Sequence, residues 1–364
     1  MRIVVDVNHP AQVHFFKNFT WEMQRRGHEV LTIASKKDLT HYLLSKYGFD
    51  SCFLGSYGDS IIKKIINVPI IDLKMYQSVK HFEPDLFLGF GSIRAAHVAK
   101  MMGKPCINFD DDEYSYPYYH FLADAICGFS GFKIAGPKVI KINGFKELAY
   151  LHPNHFKPNP AILETSGISP GEKFALVRFV SWNAFHDVGK KGFDAPSRIN
   201  LIKELSEYST VFISSEAPLP DELERYRLPI PPENIHDLLQ YSTLLVSDSQ
   251  TMTTEAAVLG TAAVRSNSFV GKNDMGNFIE LEKNYNLIFN CESEETALNV
   301  AVRILNMPDA KGKWAKKREK LLNDKIDVTA FMVWFIENYP RSITKMKEHP
   351  EAQYSCPQVL GDAL

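Results

Sequence analysis

The sequence predicts an α/β protein of two doubly wound halves, each built on a parallel sheet. Three observations carry this expectation. Apolar runs of buried-strand length alternate with helical stretches from the first residues onward, the alternation lapses in a turn-rich stretch near the middle, and it then restarts.

The chain opens on an apolar strand at Ile3 to Val7, followed by a helix from Ala11 to Arg26, a strand from Glu29 to Ala34 and a helix from Leu39 to Tyr47. Strands at Ser51 to Leu54, Leu86 to Phe90 and Pro105 to Phe109 follow, with helices at Ile70 to His81 and Ile93 to Met102, which makes five or six parallel strands. The first strand-to-helix turn runs Asp6-Val-Asn-His-Pro-Ala-Gln-Val-His14. Pro10 sits near the helix start, where its missing N–H costs little, and the turn lacks GxGxxG, which weighs against an NAD or FAD site in this half.

After Tyr116 the pattern becomes irregular, and Ala135-Gly-Pro137, Asn143-Gly144 and His152 to Pro160 accumulate turn formers. A boundary near 155 to 172 then separates a domain at 1–160 from one at 165–325. Alternation resumes with a strand at Phe174 to Val180, a helix from Pro196 to Glu207, a strand at Thr210 to Ser214 and a helix from Asn234 to Tyr241. Next come buried strands at Leu244 to Val246 and Ala262 to Val264, joined by a short helix from Thr251 to Leu259 that Gly260 closes. Helices at Glu294 to Asn306, Lys311 to Leu322 and Val328 to Asn338 finish the fold. The last of these, within 326–340, is expected to pack back on the N-terminal domain, and the polar tail at 341–364 to be loosely held.

With 45% hydrophobic and 23% charged residues the composition is that of a folded chain with a large core. The formal charge of −2 and the lack of a basic block argue against a nucleic-acid binder, and Lys311 to Lys320 reads as a solvated helix face. Five scattered cysteines without CxxC or Cys/His spacing indicate neither a disulfide framework nor a zinc site. No apolar run reaches the ~18 residues of a membrane span, and no basic leader precedes the first strand. The expectation is a soluble cytoplasmic protein, with a peripheral membrane contact and a homodimer left open.

The unit from Tyr241 to Arg265 carries the clearest chemistry. A helix N-terminus offers unpaired N–H groups and the positive end of a dipole, which suits a diphosphate at Ser249, Gln250, Thr251 and Met252. Glu255, one turn further in, suits the hydroxyls of a ribose. At the end of the first strand of the second half, Arg178, Ser181, Trp182 and His186 bring a guanidinium, a hydroxyl, an aromatic wall and an imidazole. In the first half, Asp110-Asp111-Asp112-Glu113 crowd four acids at a strand C-terminus, and like charges that close raise some pKa values toward those of a general base. The bland reading of each feature is a helix cap or a solvated loop.

These residues carry a resemblance. Two Rossmann-like halves with Asp248-Ser-Gln-Thr-Met-Thr-Thr-Glu255 before Ala-Ala-Val-Leu-Gly resemble the GT-B fold, in which two Rossmann-like doubly wound parallel-sheet domains face a central cleft. The segment is similar to the Asp-Ser-Gly-Gly-x-x-x-Glu element of UDP-N-acetylglucosamine 2-epimerases, and to the related element of the peptidoglycan lipid II-forming N-acetylglucosaminyltransferase. Over about residues 1 to 340 the chain resembles a little-characterised family of GT-B-like proteins of archaea and bacteria, a domain-of-unknown-function family. It shares with them Ile235-His-Asp-Leu-Leu239 and Asp248-Ser-x-Thr-Met-x-x-Glu-Ala-Ala-x-Leu-Gly260.

The resemblance implies that Ser249 and Thr251 contact the donor β-phosphate, that Glu255 holds the ribose, and that Pro231 to Asp237, with His236, lies where the base binds. Side chains at Gln250 and Thr251 replace the two glycines of the epimerase pattern, which moves the phosphate and lowers the epimerase reading. The loop from Phe269 to Gly276 would meet the sugar through Lys272 and Asp274. Asp111, Asp112, Glu113 and His14 would serve the acceptor as catalytic groups, and Lys146 and Glu147 would sit near the cleft or pair across the domains.

The expected activity is therefore metal-independent transfer from a nucleotide sugar, a UDP-sugar first, to a glycan or lipid-linked acceptor, with no cofactor and no metal site. The alternatives are a UDP-N-acetylhexosamine 2-epimerase and a non-catalytic nucleotide-sugar binding protein. Tyr114 to Phe121 reads as core, with an apolar acceptor wall or a membrane-facing patch as the other readings.

Overall fold

The computed structural model describes residues 1–35, 38–55, 61–169, 171–181, 192–216 and 218–357, with backbone alone at 38 and 61–66. The chain divides into two compact units, the first formed by Met1–His155 with the segment from Lys325 onward, the second by Phe156–Asp324.

The first unit runs β1 (Arg2–Val7), α1 (Pro10–Arg25), β2 (Glu29–Ala34), α2 (Asp38–Lys46), β3 (Ser51–Phe53), α3 (Ile61–Val79), β4 (Leu86–Phe90), α4 (Ile93–Met101), β5 (Cys106–Asp110), α5 (Tyr116–Tyr119), β6 (Ala125–Gly128), β7 (Val139–Lys141) and α6 (Leu148–Leu151). Its seven strands are ordered β3-β2-β1-β4-β5-β6-β7, all in parallel register. The second unit runs α7 (Ala161–Thr165), β8 (Phe174–Phe179), α8 (Ala195–Ser206), β9 (Thr210–Ser215), α9 (Ile235–Tyr241), β10 (Leu244–Ser247), α10 (Gln250–Leu259), β11 (Ala262–Arg265), α11 (Gly276–Lys283), β12 (Ile288–Asn290), α12 (Glu294–Leu305) and α13 (Ala310–Asp324). Its five strands are ordered β12-β11-β10-β8-β9, again all parallel. The strands form where the sequence is apolar throughout because both faces of each sheet are covered: Ile3 to Val5 and Leu244 to Val246 have no exposure.

The chain then returns to the first unit through α14 (Val328–Glu337) and α15 (Arg341–Glu348). Helix α14 is apolar nearly all round and packs on α1 and α6, with the Thr329 hydroxyl donating to the Ala149 carbonyl at 2.7 Å. Asp327 starts this helix. Its carboxylate accepts from the Ala330 N–H at 3.0 Å and from Asn154 Nδ2 at 2.9 Å, and lies 2.8 Å from His155 Nε2.

Burial pulls the Asp327 pKa up, but the hydrogen bond and charge of His155 and the charge of His152 outweigh it and hold the group below the usual carboxylate range. A lowered folded pKa contributes stability above the unfolded value of about 3.9, and that contribution is lost as pH falls through the folded value. Asp327→Asn, which keeps the cap, should therefore cost about 1–2 kcal/mol at pH 7, and its gap from wild type should shrink in urea melts at pH 3. A gap of constant size at both pH values would show that ionisation of Asp327 contributes nothing.

The structure departs from the sequence expectation in several places. Strands β6, β7 and β12 have only three or four residues each, too few for a periodic signal. Helix α3 begins at Ile61 rather than Ile70 because it runs through Pro69. Helix α11 starts inside what reads as a glycine-bearing loop. The tail beyond Pro340 is not loose through residue 355: α15 and a 3-10 turn at Pro350–Ser355 bury Ser342, Met346 and Gln353, and Gln353 Oε1 accepts from the Asn143 N–H at 2.8 Å. No helix among the described residues is long and apolar enough to cross a membrane.

Candidate functional site

In a doubly wound sheet the strand order reverses at one point, and ligands collect at the C-terminal strand ends there. The second sheet reverses between β8 and β10, which pair with Arg178 opposite Ser247. Asp248, the residue after β10, is buried, and its Oδ1 accepts from the Val180 N–H at 2.9 Å. Gly192 lies so close that a Cβ there would stand 2.1 Å from Asp248 Oδ2, so only glycine fits.

Ser249 is the N-cap of α10: its Oγ accepts from the Met252 N–H at 3.3 Å, while its own N–H donates to Ser247 Oγ at 2.8 Å. The N–H groups of Gln250 and Thr251, in the first turn, have no acceptor within the helix. The Ser249 hydroxyl, having accepted one bond, still has a proton to donate. Gln250 and Thr251 are part-exposed and Met252 is buried. Helix α10 ends where Gly260 adopts φ 76°, a left-handed conformation that glycine reaches without a Cβ penalty.

Glu255, one turn into α10, is buried, and its Oε1 lies 2.9 Å from Nε2 of His236, also buried, on α9. His236 therefore orients Glu255 rather than capping its own helix. Neighbouring Asp237 ties α9 to the crossover segment by accepting from the Asn159 N–H at 2.8 Å. Beside them, Asn267 Nδ2 donates to the Asp248 carbonyl at 2.9 Å and so fastens the segment after β11 against the start of α10.

Three expected members of this cluster are placed otherwise. Arg178 turns to the neighbouring strand, its guanidinium donating to Ser214 Oγ at 2.7 Å and pairing with Glu216, which also accepts from Ser181 Oγ at 3.1 Å. Asp274 is not offered to a sugar: it is buried and ion-paired with the fully buried Arg265. Lys272 is exposed, and Trp182 and His186 lie outside the described residues.

The first sheet reverses between β1 and β4. There Asp6, at 0% exposure, pairs with Arg94, at 1%, whose Nε donates to Asp6 Oδ1 at 2.7 Å and whose Nη1 donates to Ser35 Oγ at 3.1 Å. Ser92, the N-cap of α4, donates its hydroxyl to Asp6 Oδ2 and accepts from the Ala95 N–H. Asn8 Nδ2 donates to the same carboxylate oxygen at 3.0 Å, and Gln12 bridges the Asn8 N–H and the Phe90 carbonyl. This network fixes the first strand-to-helix turn, and the sequence signalled it only as an acid at a strand end.

At the end of β5, one oxygen each of Asp110, Asp111 and Asp112 falls within 4.8 Å of the others, a spacing suited to a cation. Burial, then the charge of Asp112, push the Asp110 carboxyl well above its usual range, and Tyr119 donates its hydroxyl to it. Crowding thus acts as expected at Asp110, but burial is the larger cause. Lys146 pairs with Asp111, and Lys146 Nζ stands 3.9 Å from Glu147 Oε1. Burial lowers the Lys146 pKa, but the charges of Asp111 and Glu147 overbalance it and raise the value. Lys146 thus belongs to the Asp111 cluster within the first unit.

Glu113 is turned to a structural use, accepting from the Lys133 N–H at 2.7 Å. His14 is packed and not presented at the strand end: it is buried on α1, its Nδ1 is 3.2 Å from the Tyr47 hydroxyl, and its ring stacks on Tyr150 at 5.6 Å. The exposed histidine of this turn is His9, the N-cap of α1, whose Nδ1 accepts from the Ala11 N–H. Its signal was its position immediately before Pro10.

The fold is shared with solved nucleotide-sugar enzymes. A putative UDP-N-acetylglucosamine 2-epimerase from Listeria monocytogenes matches with a TM-score of 0.63 at 11% identity, over 100% of this chain and 99% of that one. The MnaA–UDP co-structure from S. aureus matches with a TM-score of 0.63 at 12% identity, over 94% and 98%. The glycosyltransferase VinC in complex with dTDP matches with a TM-score of 0.60 at 10% identity, over 95% and 100%. No curated protein matches the sequence. A family described as "Protein of unknown function (DUF354)" matches residues 1–336, and the chain belongs to it.

Proposed function

We propose that the protein is a metal-independent glycosyltransferase using a nucleotide sugar, a UDP-sugar first, with a glycan or lipid-linked acceptor. The observation that carries this reading is the start of α10: a serine-capped helix N-terminus at the switch point of the second sheet, with Glu255 buried one turn further in and oriented by His236. The first-turn N–H groups suit the donor diphosphate, whose charge grows as the glycosidic bond breaks. Glu255 Oε2 suits a ribose hydroxyl. The solved structures of the same fold support the nucleotide part, since the names of all three include UDP or dTDP.

The base falls to the end of β5. Lys146 holds Asp111 in an ion pair, and Asp112 is the more exposed of the two. Asp111→Asn and Asp112→Asn should leave nucleotide binding within about twofold, while at least one lowers turnover by the ~10²–10⁴-fold typical of a lost general base. Full turnover in both variants would remove this cluster from the chemistry. The 2-epimerase reading, supported by the resemblance of Asp248 to Glu255 to that family's element, predicts turnover of a UDP-N-acetylhexosamine with no acceptor added. The transferase reading predicts sugar release only to an acceptor.

A further inference from the structure

Arg265 ends β11 and is wholly buried. It pairs in register with Ser247, so the two side chains share one face of the sheet, with neighbouring strands about 4.8 Å apart. Ser247 uses that face to accept the Ser249 N–H at the start of α10. The Arg265 guanidinium stacks 3.6 Å from the ring centre of Phe278, in the first turn of α11, and its Nη2 pairs with Asp274. Asp274 in turn accepts from the Met275 N–H, at the N-cap of α11, at 2.8 Å.

That single carboxylate leaves the arginine under-satisfied. Its Nε and Nη1 have no hydrogen-bond partner among the described residues, and neither has Asn277 Oδ1, buried in the same first turn. Burial pulls the Arg265 pKa down to about 10 and the Asp274 pKa up, so each charge is held at a cost. The N-terminus of α11 adds positive potential where a cation already sits. Two spare donors and a helix N-terminus form an anion site that the chain fills with its own carboxylate. The segment that brings this carboxylate in runs from Asn267, anchored to Asp248, to Met275, and it contains Gly271 at φ 144°, a conformation that side chains rarely adopt.

We propose that Asp274 is an internal stand-in for a phosphoryl group, and that a nucleoside diphosphate bound at the start of α10 displaces it from Arg265, which then donates Nε and the vacated Nη2, two donors on one edge of the guanidinium, to phosphoryl oxygens. The proposal rests on the donor reading above and adds to it a phosphate-binding arginine and an intramolecular competitor. Bidentate donation to a phosphate is the geometry a guanidinium favours.

Calorimetric titration of the full chain with UDP and with inorganic pyrophosphate tests it, using wild type, Asp274→Asn and Arg265→Gln. Asp274→Asn, nearly isosteric, should bind both anions about tenfold more tightly, and Arg265→Gln about tenfold or more weakly. Hydrogen exchange of wild-type amides at 268–276 gives a readout independent of any variant's folding: saturation with UDP should speed their exchange as the Asp274 contact opens. Wild type that binds UDP, with Asp274→Asn no tighter or with unchanged exchange at 268–276, overturns the displacement and leaves the donor reading standing. Wild type that binds pyrophosphate but not UDP, with Asp274→Asn tighter, supports the displacement and removes the nucleotide. Binding of neither anion at millimolar concentration overturns both.

Discussion

Asp6→Ala should destabilise the first unit by about 3–5 kcal/mol, the cost of leaving a buried charge without its partner. Arg94 is 1% exposed and gives Asp6 its Nε, so without the carboxylate a guanidinium that also meets Ser35 Oγ and the Val7 carbonyl remains in the interior without its counter-charge. The Ser92 hydroxyl and Asn8 Nδ2 lose the same acceptor. Urea unfolding followed by circular dichroism would read the loss. Arg94→Met in the Asp6→Ala background should recover part of it, because an apolar side chain of similar length needs no partner. An additive double mutant would show that the two residues do not act as a pair. The first strand-to-helix turn hangs on this network through Asn8, so the single variant should also unsettle the Asn8–Gln12 contact and His9 beyond it.

The second large effect is expected at Glu255. Glu255→Gln keeps a hydrogen-bonding group opposite His236 but removes the charge, and truncating one side of a buried charged contact to a ligand costs about 2–5 kcal/mol, or roughly thirtyfold and more in affinity. A ligand at a hundred times its Kd raises stability by about 2.7 kcal/mol, so a UDP-dependent rise in Tm in wild type should fall to about a third or less in the variant at equal concentration. His236→Ala should weaken binding less, since it removes only the group that orients the carboxylate. Equal loss from both variants would mean that the two act as one donor–acceptor unit on the ligand.

The residues explain why the second unit's site was the more legible. Buried parallel strands have to be apolar throughout, so Leu244 to Val246 and Ala262 to Val264 stand out, and Ser249 and Gly260 bracket the helix between them with the residues that caps demand. Asp110 to Asp112 are legible for a similar reason, as acids packed at a strand end. What failed is long-range pairing. Nothing local says that Arg178 will meet Glu216, that Arg265 will meet Asp274 or that His14 will pack between Tyr47 and Tyr150, because each partner arrives from another element. His14 is buried for a further reason: it is the fifth residue of α1 and its ring packs against Tyr47 and Tyr150, whereas His9 lies beyond the strand end where the turn is exposed. The return of α14 to the first unit was readable as an apolar helix, and the order beyond Pro340 was not, since it rests on three buried residues in a polar sequence.

The central claim is that the start of α10 receives a nucleoside diphosphate. Calorimetric titration of the wild-type protein and Glu255→Gln with UDP, with GDP, dTDP and CMP beside it, tests that claim most directly. The account predicts saturable binding of one nucleotide family by wild type, UDP first, weakened at least thirtyfold in Glu255→Gln. Equal binding by the two proteins, or no heat from any nucleotide at millimolar concentration, would contradict it.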